Sequence, residues 1–247
     1  MLPVIILAAI AGVRSAFTLS AGDAKATVYT NCLVDGTAAI TLDDGPYKWI
    51  KNVSDTCTNS GANCTFFVNG YNWDCIYDTA QQDGLKYAYG KGHQIASHTW
   101  SHPDLTTLNQ TAMEAEMDKV DLALQRILGV TPSCLRPPYG NYNDDVRMVA
   151  ASRNKSLILW DFDSGDSTGS TPQQSEDMYD QAKASETGTL LALNHETSNT
   201  TVFEVLPYAI KVLQAYGYVL VTVAQCLGIE PYTSITEPGK PNVSWHC

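Results

Sequence analysis

The sequence predicts a single α/β domain built on a parallel sheet, and three observations predict it. Short β-rich apolar runs recur along the chain, segments with helical spacing separate them, and polar residues of catalytic type follow several of the runs. The runs are 38–42, 65–68, 94–97, 133–136, 157–160, 190–193 and 219–223. They are short and almost continuously apolar, the pattern of strands buried on both faces.

Between the runs, the clearest helix is 112–128, where Met113, Met117, Val120, Leu124 and Ile127 recur at helical spacing. Thr111 with Glu114 reads as a capping box at its start, and Gly129 followed by Pro132 closes it. A second helix opens with Thr171 as cap and Pro172 in the first turn, and a third covers about 202–216 before Gly217. The 247 residues suit one α/β barrel-sized domain, and no internal repeat or low-complexity tract interrupts them.

Residues 2–13 form an apolar run of the length of a secretion-signal core, too short to span a bilayer. The expected organisation is a signal at 1–20, a catalytic domain at 25–230 and a Pro-rich tail at 231–247. Ala11, Ser15 and Ala24 offer alternative cleavage points, and a buried amino-terminal helix is the other reading of the run. With 26 acidic against 15 basic residues, the formal charge of -11 disfavours nucleic acid and anionic membranes as partners. A neutral or cationic substrate is expected, as is a soluble monomer.

Seven cysteines, at 32, 57, 64, 75, 134, 226 and 247, show no C-x-x-C spacing, so disulfides are expected rather than a zinc or redox site. The odd count leaves one thiol free or pairing between molecules. Six N-x-[ST] sequons begin at Asn52, Asn63, Asn109, Asn154, Asn199 and Asn242, in keeping with a glycoprotein that is secreted, extracellular or in the cell wall.

In parallel α/β folds ligands sit at the carboxyl ends of the strands. Asp43, His98, Tyr139, Asp161 and His195 follow five of the runs, so they are expected to converge on one face. The cluster Asp43, Asp44, Gly45, Pro46 would present two acids at a strand end, although alone it also fits a surface turn. His98 and His102 are four apart, which on a helical turn brings two imidazoles to one metal; Pro103 argues against the helix continuing. With a carboxylate such as Asp44 they make a two-histidine, one-acid shell that leaves a coordination position open.

Arg136, stiffened by Pro137 and Pro138, suits a bidentate grip on a carboxylate, catalytic or merely structural. Asp161, Asp163 and Asp166 fit loop charges or a cation cluster, without calcium-loop spacing. His195 fits a general acid or base, or a satisfied core histidine. Trp49, Trp73 and Trp100 fit a sugar groove or the core. G-x-S-x-G, Walker and dinucleotide patterns are absent from the sequence.

Taken in order, these motifs resemble the polysaccharide deacetylases of carbohydrate esterase family 4, the NodB-like homology domain, and fungal chitin deacetylases in particular. The resemblance covers about 25–230. Its motifs are Thr41 to Pro46; Ser97 to His102; Arg136 to Gly140; Asp163 to Asp166; and Leu191 to His195.

The resemblance implies a distorted (β/α) barrel of NodB-like fold and one divalent metal, zinc with cobalt or another ion as substitutes, held by Asp44, His98 and His102. Asp43 would be the general base for the attacking water, oriented and kept ionised by Arg136. The backbone N–H of Tyr139 would help to hold the oxyanion, and His195, tuned by Asp163, would protonate the leaving amine. Tyr139, Leu193 and Trp100 would meet the substrate. A disulfide between Cys32 and Cys226 is implied, with Cys57 to Cys64 as a second pairing. Leu42 stands where the family usually has Phe, and Ser167 where it often has Trp, which removes an aromatic wall. The implied function is a secreted zinc-dependent chitin deacetylase acting on chitin or chitooligosaccharides. An acetylxylan esterase of the same family and a non-catalytic chitin-oligosaccharide-binding protein are the alternatives.

Overall fold

The computed structural model describes residues 24–182 and 188–247; the expected secretion signal lies outside them. Nine strands form one parallel sheet in the order β1-β7-β6-β4-β3-β2-β9-β8, with β10 pairing to β2. They are β1 (Val28–Tyr29), β2 (Thr37–Gly45), β3 (Thr65–Val68), β4 (Gln94–Ser97), β6 (Cys134–Leu135), β7 (Ser156–Ile158), β8 (Phe162–Asp163), β9 (Leu190–His195) and β10 (Val219–Leu220). Every pairing in this sheet is parallel. The sheet curls into a half-barrel, with no strand pairing between β1 and β8 among the described residues.

The expected strands and the clear helices are present, with shifted ends. β2 runs three residues beyond the expected 38–42 and carries both acids inside it. The helices are α1 (Ile50–Asn59), α2 (Thr79–Gly90), α3 (Gln110–Leu128), α4 (Asp144–Ser152), α5 (Pro172–Gln181), α6 (Leu206–Ala215) and α7 (Val223–Leu227). A π-helical turn, Thr201–Val205, leads into α6. In α3 the cap differs from the expected one: Asn109, not Thr111, accepts a hydrogen bond from the Ala112 N–H, at 3.0 Å. Glu114 instead accepts from Gln110 Nε2, one turn earlier. The expected αL cap at Gly129 is present, and Thr171 with Gln174 forms a reciprocal capping box on α5.

Alternation along β2 divides the core. Ala38, Ile40 and Leu42 pack outward beneath α1, α2, α3 and α6, where Leu42 is fully buried. Ala39 faces the inside of the curl with Phe67, Ala96, Ile158 and Leu191. Thr41 and Asp43 lie on that same inner side of the strand, nearer its carboxyl end. A third cluster, including Met113, Met117, Leu135 and Val149, packs α3 and α4 on the other limb of the sheet.

Three disulfides are present: the expected Cys32–Cys226 and Cys57–Cys64, and Cys75–Cys247, which sequence reasoning missed. Cys134 is the free thiol and is fully buried. The segment 231–247 is fastened to the domain rather than trailing from it. β11 (Tyr232–Ile235) pairs antiparallel with β5 (Val130–Pro132). Beyond it, Thr236 and Gly239 donate to the carbonyls of Gly129 and Arg126, both at 2.7 Å.

Candidate active site

The carboxyl ends of β2, β4, β6, β7 and β9 open into a cavity of about 410 Å³ lined by Asp43, Asp44, His98, His102, Tyr139, Trp160, Asp163, Leu193 and His195. Four of the five strand-end groups expected to converge therefore do so. Asp161 does not: its Oδ1 accepts the Leu191 N–H at 2.7 Å, bracing β9 from outside the cavity.

On a regular strand, Asp43 and Asp44 would point to opposite faces. Here the pairing with β3 shifts register between Asp43 and Gly45, and Asp44 adopts a left-handed φ of 71°. That bulge turns the second carboxylate to the same mouth as the first. Thr99 (φ 70°), His102 (58°) and Tyr139 (60°) share this unfavourable conformation, so of the five left-handed non-glycine residues described three line one cavity and a fourth, Thr99, follows its His98. For a β-branched residue such as Thr99 it is a marked outlier. Strain of this kind persists where the surrounding fold enforces it, and it concentrates at functional sites.

His98 and His102 meet through these two turned residues of a loop, not through the expected helical turn. Their rings lie 4.8 Å apart. Asp44 Oδ1 is 3.8 Å from His98 Nε2 and 3.4 Å from His102 Nε2, and the three donor atoms lie within 4.8 Å of one another. Donor atoms about 2.0–2.1 Å from a tetrahedral zinc lie roughly 3.3 Å apart. The set therefore fits one small divalent cation. Burial holds the His98 imidazole neutral, with its pKa lowered to about 3. Its Nδ1–H donates to the Arg136 carbonyl at 2.7 Å, which leaves the Nε2 lone pair facing Asp44. Asn72 Nδ2 donates to Asp44 Oδ1 at 3.2 Å, and Asn69 Nδ2 donates to the His98 and Thr99 carbonyls, fixing the loop.

Arg136 is fully buried behind the cavity and grips Asp43, Nη1 to Oδ1, at 2.8 Å. Nη1 also donates to Thr41 Oγ1, while Nε and Nη2 donate to the carbonyls of Ile158 and Leu159. The guanidinium stacks on Phe67, 4.2 Å from the ring centre, with Trp160 at 5.6 Å. It is a planar cation held on all sides, a role a lysine could not fill. Burial holds the Asp43 pKa above the ordinary carboxylate value, with the charges of Arg136 and His195 opposing it only in part. Asp43 thus sits beside the three-donor set, paired to a cation and shielded from water.

On the opposite wall, His195 Nδ1 lies 2.7 Å from Asp166 Oδ1, while Asp166 Oδ2 accepts the His195 N–H and the Thr201 hydroxyl. Asp163 does not hold His195, contrary to the sequence expectation. Its Oδ1 accepts the Gly165 N–H, making the turn that delivers Asp166, and it stays at the rim of the cavity. Burial alone would lower the His195 pKa; the hydrogen bond and charge of Asp166 outweigh it, and the imidazole is pushed up to about 9. His195 is therefore a cation at neutral pH, ready to donate.

One further expectation changes. Trp100 does not reach the cavity: it packs under Gly70, where a Cβ would come within 1.9 Å of the indole, and it faces Tyr77 and Lys119. The aromatic wall is instead Trp160, whose signal was its position at the end of an apolar run. Ser167, which stands where the family often has Trp, lines the cavity together with Thr168. Tyr139 is 65% exposed at the rim, edge-on to His102 at 4.8 Å, and Leu193 forms the apolar floor. Glu196 was also missed. It is buried beneath the Asp43 to Gly45 turn, accepts the Tyr47 N–H, and is pushed up to about 8 by burial.

A polysaccharide deacetylase family model matches residues 30–158, and the chain belongs to the polysaccharide deacetylase family. Among its relatives it is similar to a chitin deacetylase of Arthroderma benhamiae, 37% identical over 216 residues, 87% of this chain and 57% of that one. A chitin deacetylase of Colletotrichum lindemuthianum is 30% identical over 230 residues, 91% of this chain and 93% of that one. The solved structure of the Colletotrichum lindemuthianum chitin deacetylase matches with a TM-score of 0.81 at 28% identity, covering 86% of this chain and 96% of that one. The chain thus spans little more than half of the Arthroderma relative but nearly all of the Colletotrichum one.

Proposed function

We propose that this protein is a secreted, metal-dependent chitin deacetylase that hydrolyses N-acetyl groups of N-acetylglucosamine units to a free amine and acetate. The single observation that carries the reading is Asp43, ion-paired to the fully buried Arg136 and set beside the Asp44, His98 and His102 donors. The kinship with chitin deacetylases supports the substrate class. Three disulfides support an oxidising compartment, and no described helix is long and apolar enough to cross a membrane.

Zinc, or another divalent cation held by Asp44, His98 and His102, would supply Lewis acidity to water and to the acetyl carbonyl. Asp43 takes a proton from the attacking water, and Arg136 keeps that carboxylate ionised and aimed. The water oxygen bonds to the acetyl carbon, and the Tyr139 N–H helps to stabilise the negative oxygen that develops. As the C–N bond breaks, His195 gives its proton to the nitrogen, because an amide anion leaves poorly. Asp166 holds His195 in the donating form. Leu193 and Trp160 enclose the acetyl methyl group.

The test is acetate release from chitin oligomers and acetylated xylan, with chelator, with zinc or cobalt restored, and in Asp43→Asn. Chelation should abolish release and metal should restore it, and Asp43→Asn should lower kcat by about two orders of magnitude or more. Unchanged release after chelation would sink the metal requirement, and a fully active Asp43→Asn would sink the base assignment. Release from acetylated xylan alone would make the protein an esterase. Oligomer binding without release would make it a sugar-binding protein.

A further inference from the structure

The proposed reaction leaves one fully buried carboxyl beside the active site without a role, that of Glu196. His195 lines the cavity, and Glu196, the next residue, turns away from it to lie beneath Gly45.

The turn 43–47 closes on this one residue. Glu196 N–H donates to the Asp43 carbonyl at 3.2 Å, and Glu196 Oε1 accepts the Tyr47 N–H. Between those two points the carboxyl lies across Gly45: a Cβ there would come within 2.4 Å of Glu196 Cδ and 2.6 Å of each oxygen. Gly45 is not left-handed, so the close approach of Glu196, rather than backbone conformation, requires glycine at this position. Asn69 N–H donates to the Gly45 carbonyl at 2.7 Å and holds the same peptide from another direction. Asp43 and Asp44 lie within the span so fixed.

Packing alone does not account for a carboxyl in this place. Glu196 Oε2 is buried with no hydrogen-bond partner among the described residues. An apolar side chain of similar size would fill the space without leaving that oxygen unsatisfied. Burial, with the charge of Asp44, keeps the carboxyl protonated at neutral pH, so the group acts through its shape and one acceptor oxygen.

The structure assigns Glu196 as a positioning residue: its side chain is the template on which the turn 43–47 closes, and it sets where the base Asp43 and the metal donor Asp44 stand. The assignment rests on the proposed metal-dependent reaction. Groups that orient a metal's ligands are worth about 10–100-fold in affinity, and a reacting group misplaced by about 1 Å costs on the order of a hundredfold in rate.

Cobalt binding to the metal-free full chain, followed by calorimetry, reads the position of Asp44, and kcat for acetate release reads that of Asp43. Glu196→Met fills the same space without the acceptor. It should raise the cobalt dissociation constant about tenfold and lower kcat about a hundredfold with KM little changed, while the midpoint of chemical denaturation holds. Glu196→Gln, which keeps shape and acceptor, should recover most of both losses. Gly45→Ala and Glu196→Ala should each weaken cobalt binding, and the double variant should bind little worse than the poorer of the two, because both changes break one contact. Wild-type cobalt affinity and kcat in Glu196→Met overturn the inference. Losses in Glu196→Gln as large as in Glu196→Met also overturn it, since charge would then be the effective property. If Glu196→Met does not fold, the pair with Gly45 decides, and losses that multiply in the double variant overturn the contact. A wild type that binds cobalt but releases no acetate sinks the proposed reaction alone, and the cobalt series still decides the role of Glu196. A wild type that binds no cobalt overturns both.

Discussion

His195 shows how one contact decides a residue's chemistry. Burial on its own would keep the imidazole neutral, but Asp166 at 2.7 Å reverses the balance and brings its pKa to about 9. Asp166→Asn removes that charge and should shift the alkaline limb of the kcat profile to lower pH. A limb that stays in place would exclude Asp166 as the group that tunes the acid. The sign also applies to stability. The folded pKa lies above the ordinary value of 6.5, so the stabilisation is fully present below about pH 6.5 and is lost as pH rises through about 9. Thermal unfolding of metal-free protein across this window should therefore show a steeper loss in wild type than in Asp166→Asn. The sequence offered Asp163 and Asp166 equally. The turn at Ser164 and Gly165 decides between them by spending the Asp163 carboxylate on the Gly165 amide.

At the scale of elements, β2 and its loops do most to position the site. Register with β3 and β9 sets Asp43 beside His195, and a bulge brings Asp44 to the same side. Periodicity located α3 because its buried Met113, Met117, Val120, Leu124 and Ile127 recur on one face. Its first turn was misread, because Asn109, Thr111 and Glu114 satisfy overlapping capping patterns and only the backbone conformation selects among them. Asn109→Ala, in unglycosylated protein, should therefore destabilise the fold by about 1 kcal/mol in chemical denaturation, while Thr111→Ala should have little effect. Equal effects would return the cap to Thr111. α1, α2, α4 and α7 were not legible as separate helices. α7 is only five residues long, and α2 carries glycines at both Gly84 and Gly90.

At the scale of the molecule, the Cys32–Cys226 disulfide joins segments 194 residues apart and fastens α7 across the inner end of the curled sheet. Cys32→Ser with Cys226→Ser should cost about 2–5 kcal/mol of stability in equilibrium unfolding, with little change in KM, since neither residue lines the site. A large KM change with stability intact would place the bridge in substrate binding instead. The free Cys134 is buried, so the folded protein offers no thiol there for pairing between molecules. By itself the sequence determined the α/β class and most strands, and the resemblance of its motifs to a known family implied the Asp44, His98 and His102 set and the pairing of Asp43 with Arg136. Apolar periodicity and motif order are local properties, and a chain carries them in one dimension. The tertiary structure alone decided that Asp166 rather than Asp163 holds His195, that Trp160 replaces Trp100 beside the cavity, and that Cys75 meets Cys247. Those outcomes depend on distances between segments brought together by the curl of the sheet, and on two adjacent acids sharing one face only because Asp44 takes a left-handed turn.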